Sequence, residues 1–151
     1  MTADYAWVAD AMARTVPWIS KAGIEFLETG PERMLCALPD VPEQRNHVGG
    51  PHAAVMFGLA ETASGAVTMA AFTPLLERAV PLVASSEIRY RKLARGRLTA
   101  EAILGRDTAA VTAELESGSR PEFPVHCTIR DSGEEVTGEV TVNWTLRPHH
   151  A

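Results

Sequence analysis

The sequence predicts an α+β domain in which an antiparallel sheet curls around one long helix. Two observations carry this. Residues 52 to 73 (HAAVMFGLAETASGAVTMAAFT) are apolar almost all round, and a helix without a polar side is a buried one. Two strand-like runs precede this segment and four follow it. A sheet wrapped around the helix explains why it lacks a wet face.

The elements follow in order. Residues 4 to 16 (DYAWVADAMARTV) predict a short amphipathic helix, with Tyr5, Val8, Met12 and Val16 at helical spacing. Pro17 is expected to end it. Gly23 to Glu28 and Arg33 to Leu38 predict a strand pair, punctuated by Gly30-Pro31. Pro39 to Pro51 is polar and dense in Pro and Gly, a loop that wraps something. Pro51 suits the first turn of the long helix. Leu82 to Leu93 and Leu98 to Leu104 alternate as strands with one wet face or edge, turning at Ala94 to Arg97. Residues 107 to 117 predict a short helix capped by Asp107. Phe123 to Arg130 and Val136 to Leu146 complete the strands, and the tail RPHHA is expected to be loose.

The chain has 151 residues, the size of one domain. With no repeat or linker, residues 1 to 151 are taken as one unit, core about 20 to 147, with helix 4 to 16 at its N-terminal side. A formal net charge of −5 argues against nucleic-acid binding, which needs a basic excess. Cys36 and Cys127 lack CxxC spacing and are expected to be buried thiols. His126 adjoins Cys127, but strand neighbours point to opposite faces. No secretory leader is visible. The longest apolar run, Ala53 to Ala60, stops at Glu61, short of the roughly 20 residues of a membrane span. A cytoplasmic protein without membrane contact is the expectation. No metal is expected, because His47, His52, His149 and His150 have no partners at ligand spacing.

Glu61 interrupts the apolar helix. A lone Glu is usually a surface charge, but a carboxylate among apolar residues is costly unless it serves a purpose. Gly58, Ser64, Gly65 and Thr68 share its face at helical offsets. Such a narrow stripe admits a helix, a strand or a thin ligand. The helix start, Asn46-His47-Val48-Gly49-Gly50-Pro51-His52, is the second feature. Backbone N–H groups of a first helical turn are unsatisfied, and those of Ala53 and Ala54 can face a carbonyl that becomes negative. Gly49 and Gly50 permit close approach to the backbone. Taken singly, His52 is a capping residue and Asn46 a turn residue.

Together these residues resemble the PaaI-like hotdog thioesterases of the 4-hydroxybenzoyl-CoA thioesterase superfamily. The family pattern N-x-x-G-x-x-H, followed by a hydrophobic helix bearing Asp or Glu, matches Asn46, Gly49, His52 and Glu61 in spacing. Tyr90 to Gly96 (YRKLARG) resembles the family's later strand, Y-x-x-P-A-x-x-G. Three departures bear on the substrate. Ala53-Ala54 replaces Gly-Gly, Glu replaces the commoner Asp, and Leu93 replaces Pro.

The resemblance implies a hotdog fold of about six strands and hydrolysis of an acyl-CoA or acyl-carrier-protein thioester. It implies a thioester carbonyl against Ala53 N–H, oriented by Asn46 and His52, with Glu61 as general base or nucleophile. It implies a homodimer or dimer of dimers, with sites between subunits and no cofactor beyond the coenzyme A of the substrate. Ser85 is a candidate for binding water or the acid. In the basic run Arg89, Arg91, Lys92, Arg95 and Arg97, Arg95 and Arg97 are candidates for the phosphates, though a guarded strand edge explains such a run as well. A non-catalytic hotdog dimer that binds acyl thioesters is the alternative function. A hotdog hydratase is a third, but its Asp and His pair has no match here.

Overall fold

The computed structural model describes residues 4–149. Six strands form one antiparallel sheet in the order β1-β2-β4-β5-β6-β3. They are β1 (Glu25–Glu28), β2 (Arg33–Leu38), β3 (Ala79–Tyr90), β4 (Leu98–Leu104), β5 (Glu122–Arg130) and β6 (Val136–Pro148). The sheet curls around α3 (Ala53–Ala71), which packs mainly on β4 and β2. This is the hotdog fold. The core fills the space between them, with Leu59, Ala63 and Val67 of α3 meeting Met34, Ala100 and Val125 of the sheet face in one buried cluster.

Helix α1 (Trp7–Thr15) buries Val8 and Met12, as its spacing predicts. Pro17 ends it and also opens a second helix, α2 (Pro17–Ala22). The sequence reading missed α2. Val16 is extended, as a residue before proline prefers, and proline loses nothing at a first helical position. The short α4 (Thr108–Glu116) is capped by Asp107, whose carboxylate accepts from Ala110 N (3.3 Å).

Four expectations need correction. Pro51 lies outside the helix, because His52 is the cap, with φ −63° and ψ 140°. β3 starts at Ala79 and runs through Pro81. An edge strand tolerates proline, since one side of it makes no ladder bonds. Nor does β3 keep one dry face: Val83 to Glu87 are all exposed, because the strand lies beyond the reach of α3's main contacts. Lastly, the tail is not loose as far as His149. Arg147 and Pro148 pair with Val80 and Ala79, and His149 N donates to Arg78 O (2.8 Å). The remainder of that tail lies outside the described residues.

Helix α3 has 19 residues, and its length and composition alone would let it cross a membrane. One central charge does not remove that character. It is mostly buried under the sheet, the position of a core helix.

Candidate active site

The loop before α3 is held by its own polar groups. Asn46 Oδ1 accepts from Val48 N (3.0 Å) and Gly50 N (3.1 Å), and Nδ2 donates to Pro51 O (3.2 Å). Asn46 N also donates to Gly50 O (2.7 Å). The amide that the sequence reading placed beside a substrate is the clamp of this loop. Gly49 has φ +82°, a conformation that favours glycine. Gly50 is glycine for a different reason. A Cβ there would meet Ala94 O at 2.9 Å, so the close approach comes from the chain's own backbone.

His52 caps α3 through Nδ1, which accepts from Ala54 N (3.0 Å). An accepting Nδ1 carries no proton, so the neutral ring holds its proton on Nε2. The Ala54 amide is thereby engaged. Among the described residues Ala53 N has no partner and remains the free donor of the first turn. His52, Ala53 and Ala54 are exposed.

Tyr90 opens the YRKLARG motif and has a role the motif alone does not reveal. Its hydroxyl donates to Ala53 O (2.8 Å). Partial burial raises its pKa, which keeps it a donor. The Ala53–Ala54 peptide is therefore pinned at its oxygen by Tyr90 and at its N–H by His52. No sequence signal separates this role from an ordinary strand tyrosine, because the contact spans 37 residues.

Beside this turn lies a cavity of about 200 Å³, bordered by Asn46, Gly50, Ala53, Met56 and Tyr90. It shares Gly50, Leu93 and Ala94 with a second hollow of about 310 Å³, which reaches Arg95. The two adjoining hollows together reach from Arg95 to Ala53. A larger hollow of about 450 Å³ lies at the other end of α3, by Ala71 and Arg106. Its Arg106 is engaged by Glu114 (2.5 Å).

Glu61 is half-buried on α3. Its carboxylate has no hydrogen bond or ion pair among the described residues, and burial pushes its pKa up. The small residues on its face are covered by protein. A Cβ at Gly58 would overlap the six-membered ring of Trp18, meeting Cζ3 at 2.9 Å. One at Gly65 would meet Trp144 Cη2 at 3.3 Å and Met12 Cε at 3.4 Å. Trp144 is fixed there by Nε1 donating to Ser64 Oγ (2.9 Å), and Ser64 Oγ in turn donates to Glu61 O (2.7 Å).

Within one chain the two halves of the site stay apart. Glu61 is eight residues beyond Ala53, about 12 Å along the helix. Ser85 is exposed, and its hydroxyl accepts from Asn143 Nδ2 (3.0 Å) rather than joining Glu61. In the basic run, Arg89 pairs with Glu87, Arg91 with Glu139, Lys92 with Glu135 and Arg97 with Glu25. Only the Arg95 side chain has no partner among the described residues. Its backbone is held by Asp131 and Ser132. Cys36 and Cys127 are buried, and burial pushes both thiols up to about 12.

Residues 6–146 match the family described as a domain of unknown function, DUF4442. The chain belongs to the DUF4442 family. No curated protein matches it in sequence. Among solved structures, a Pseudomonas aeruginosa protein of unknown function, described as a probable thioesterase, superposes with a TM-score of 0.84 at 22% identity, covering 99% of both chains. A thioesterase family protein from Silicibacter pomeroyi gives 0.79 at 17% identity, over 97% of this chain and 100% of its own. A mutant thioesterase from Pseudomonas aeruginosa gives 0.78 at 13%, over 99% and 97%. At these identities the shared property of this DUF4442 member is its fold.

Proposed function

We propose that this protein is an acyl thioesterase acting as a homodimer in the cytoplasm. The observation that carries this reading is Glu61, a half-buried carboxylate with a raised pKa and no partner among the described residues, on a helix otherwise suited to the core. Structure alone gives no reason to keep such a group. The thioesterase descriptions of the structural neighbours point the same way.

In this reading the thioester carbonyl lies against Ala53 N–H, with His52 Nε2–H as a second donor. Glu61 takes a proton from water, and the hydroxide adds to the carbonyl carbon. Negative charge builds on the oxygen facing the two donors. The C–S bond then breaks, the thiolate takes up the proton, and a carboxylic acid and free thiol leave. Direct attack by Glu61 through an anhydride is the second route to the same products.

The separation of about 12 Å along α3 motivates the dimer. One carbonyl cannot reach both groups of one chain, so Glu61 would serve the helix start of a second copy. β3 offers the surface for this. It is a twelve-residue edge strand, exposed from Val83 to Glu87, and such an edge is a template for pairing. Ser85 sits on it, where a partner's site would pass. The adjoining hollows from Arg95 to Ala53 would hold the thiol arm, with Arg95 on a phosphate.

The test is hydrolysis of a panel of acyl-CoAs, read by free thiol, for wild type and Glu61→Gln. The expected loss of kcat is about 100-fold or more, the usual contribution of a general base. Turnover indifferent to Glu61, or no turnover on any thioester, would sink the reading. Binding without turnover would favour a non-catalytic thioester-binding dimer.

A further inference from the structure

Two indoles cover the helix positions that flank Glu61 along α3, Gly58 and Gly65. Toward the helix C-terminus, Trp144 fills the space over Gly65, is only 7% exposed, and is fixed by Ser64. Met12 closes the same side. Toward the N-terminus, one helical turn before Glu61, the six-membered ring of Trp18 lies on Gly58. Residues three apart on a helix are surface neighbours, about 5–6 Å between their Cβ atoms. Trp18 thus covers the helix surface one turn before Glu61.

The two walls differ in rigidity. Trp18 is 39% exposed, and its indole makes no hydrogen bond among the described residues. It is carried by a six-residue helix, which Gln44 Nε2 ties to the loop by donating to Ala22 O (2.9 Å). The helix surface flanking Glu61 is therefore covered by a fixed, buried indole on one side and a part-exposed one on the other.

We infer that Trp18 sets the length of acyl group accepted at Glu61, restricting the site to short-chain acyl thioesters. This rests on the thioesterase reading. An acyl chain that left Glu61 along α3 toward Gly58 would meet this indole. Gly58 is part of the device, since any side chain there would displace Trp18.

The experiment measures kcat/KM of the full chain on acetyl-, butyryl-, hexanoyl-, decanoyl- and benzoyl-CoA, for wild type, Trp18→Ala and Trp18→Phe. Melting curves check that each variant folds. Wild type is expected to lose efficiency as the chain lengthens. Trp18→Ala is expected to raise the decanoyl-to-butyryl ratio by about tenfold or more, the lower end of what a methylene-scale change in a pocket produces. Trp18→Phe should fall between, and it carries the test if Trp18→Ala does not fold. An unchanged ratio in folded variants overturns the role of Trp18 and leaves the thioesterase reading standing. A wild type that already prefers decanoyl-CoA overturns it as well. Absence of turnover on every thioester removes both.

Discussion

In the loop from Arg45 to His52 the side chains of Arg45, Asn46 and His52 are engaged by the chain itself, whereas Glu61, two turns into the helix, has no partner among the described residues. Arg45 pairs with Asp40 (3.1 Å), Asn46 closes three bonds, and His52 caps α3. The contrast separates two kinds of candidate residue. The loop is built to hold a shape, and what it presents is a backbone N–H. Glu61 is kept at a cost, and what it presents is a side chain. Substitutions in the two regions should therefore fail differently.

Glu61→Gln should show the largest difference between activity and stability. Activity falls as stated above, but stability at neutral pH should not. Burial raises the folded pKa of Glu61 above its unfolded value. Stability linked to this group is full below the unfolded value and is lost as pH rises through the folded one. At neutral pH the charged carboxylate is a liability that Gln lacks. The Tm of Glu61→Gln should equal or exceed that of wild type at pH 7, with the gap closing in acid. The acid limb of kcat/KM should sit above the usual Glu pKa, because it reports the free enzyme's base. A Tm well below wild type at pH 7 would mean that Glu61 has a structural partner.

Asn46→Ala should do the reverse and lower both quantities together. It removes the acceptor of two N–H groups, at a cost of about 1–3 kcal/mol when such groups are left unpaired. For a chain of this size that is about 2–4 °C in Tm per kcal/mol. Displacement of the helix start should lower kcat by up to about 100-fold, the penalty of a misplaced reacting geometry. Loss of activity with an unchanged Tm would show that Asn46 touches the substrate itself.

Much of this division was legible in the sequence. The apolar surroundings of Glu61 marked it as out of place, and the spacing of Asn46, Gly49 and His52 matched a family pattern without showing that the loop holds itself. The roles within the loop were not legible. Whether an Asn faces a substrate or its own backbone depends on a few φ/ψ angles, among them the positive φ of Gly49. The second helix was hidden because proline both ends and begins helices. The exposure of β3 was hidden because alternation reports side-chain direction, not what lies above the strand. Trp18 over Gly58 and Tyr90 on Ala53 are contacts across 40 and 37 residues, beyond any local pattern.

Tyr90→Phe tests the pinned peptide more gently. The phenyl ring keeps its packing, and only the bond to Ala53 O is lost. A neutral hydrogen bond contributes about 0.5–1.5 kcal/mol, so kcat should fall about two- to tenfold while KM changes little. A rise in KM alone would place Tyr90 in substrate binding instead of positioning.

The smallest effect concerns the basic run, where the sequence offered Arg95 and Arg97 as equals. Arg97 faces Glu25 (3.4 Å), while the Arg95 guanidinium has no partner among the described residues and borders the hollow at Ala94. An exposed arginine on a phosphate is screened by water and salt, so Arg95→Ala should raise KM for acyl-CoA by up to about fivefold. The effect should shrink as salt rises. It should vanish on acyl thioesters of N-acetylcysteamine, which lack the phosphates. Arg97→Ala should change KM less, since its charge is already balanced by Glu25. Equal effects from both would mean that the phosphates meet a diffuse basic field, and that the hollow at Ala94 and Leu93 does not direct the thiol arm.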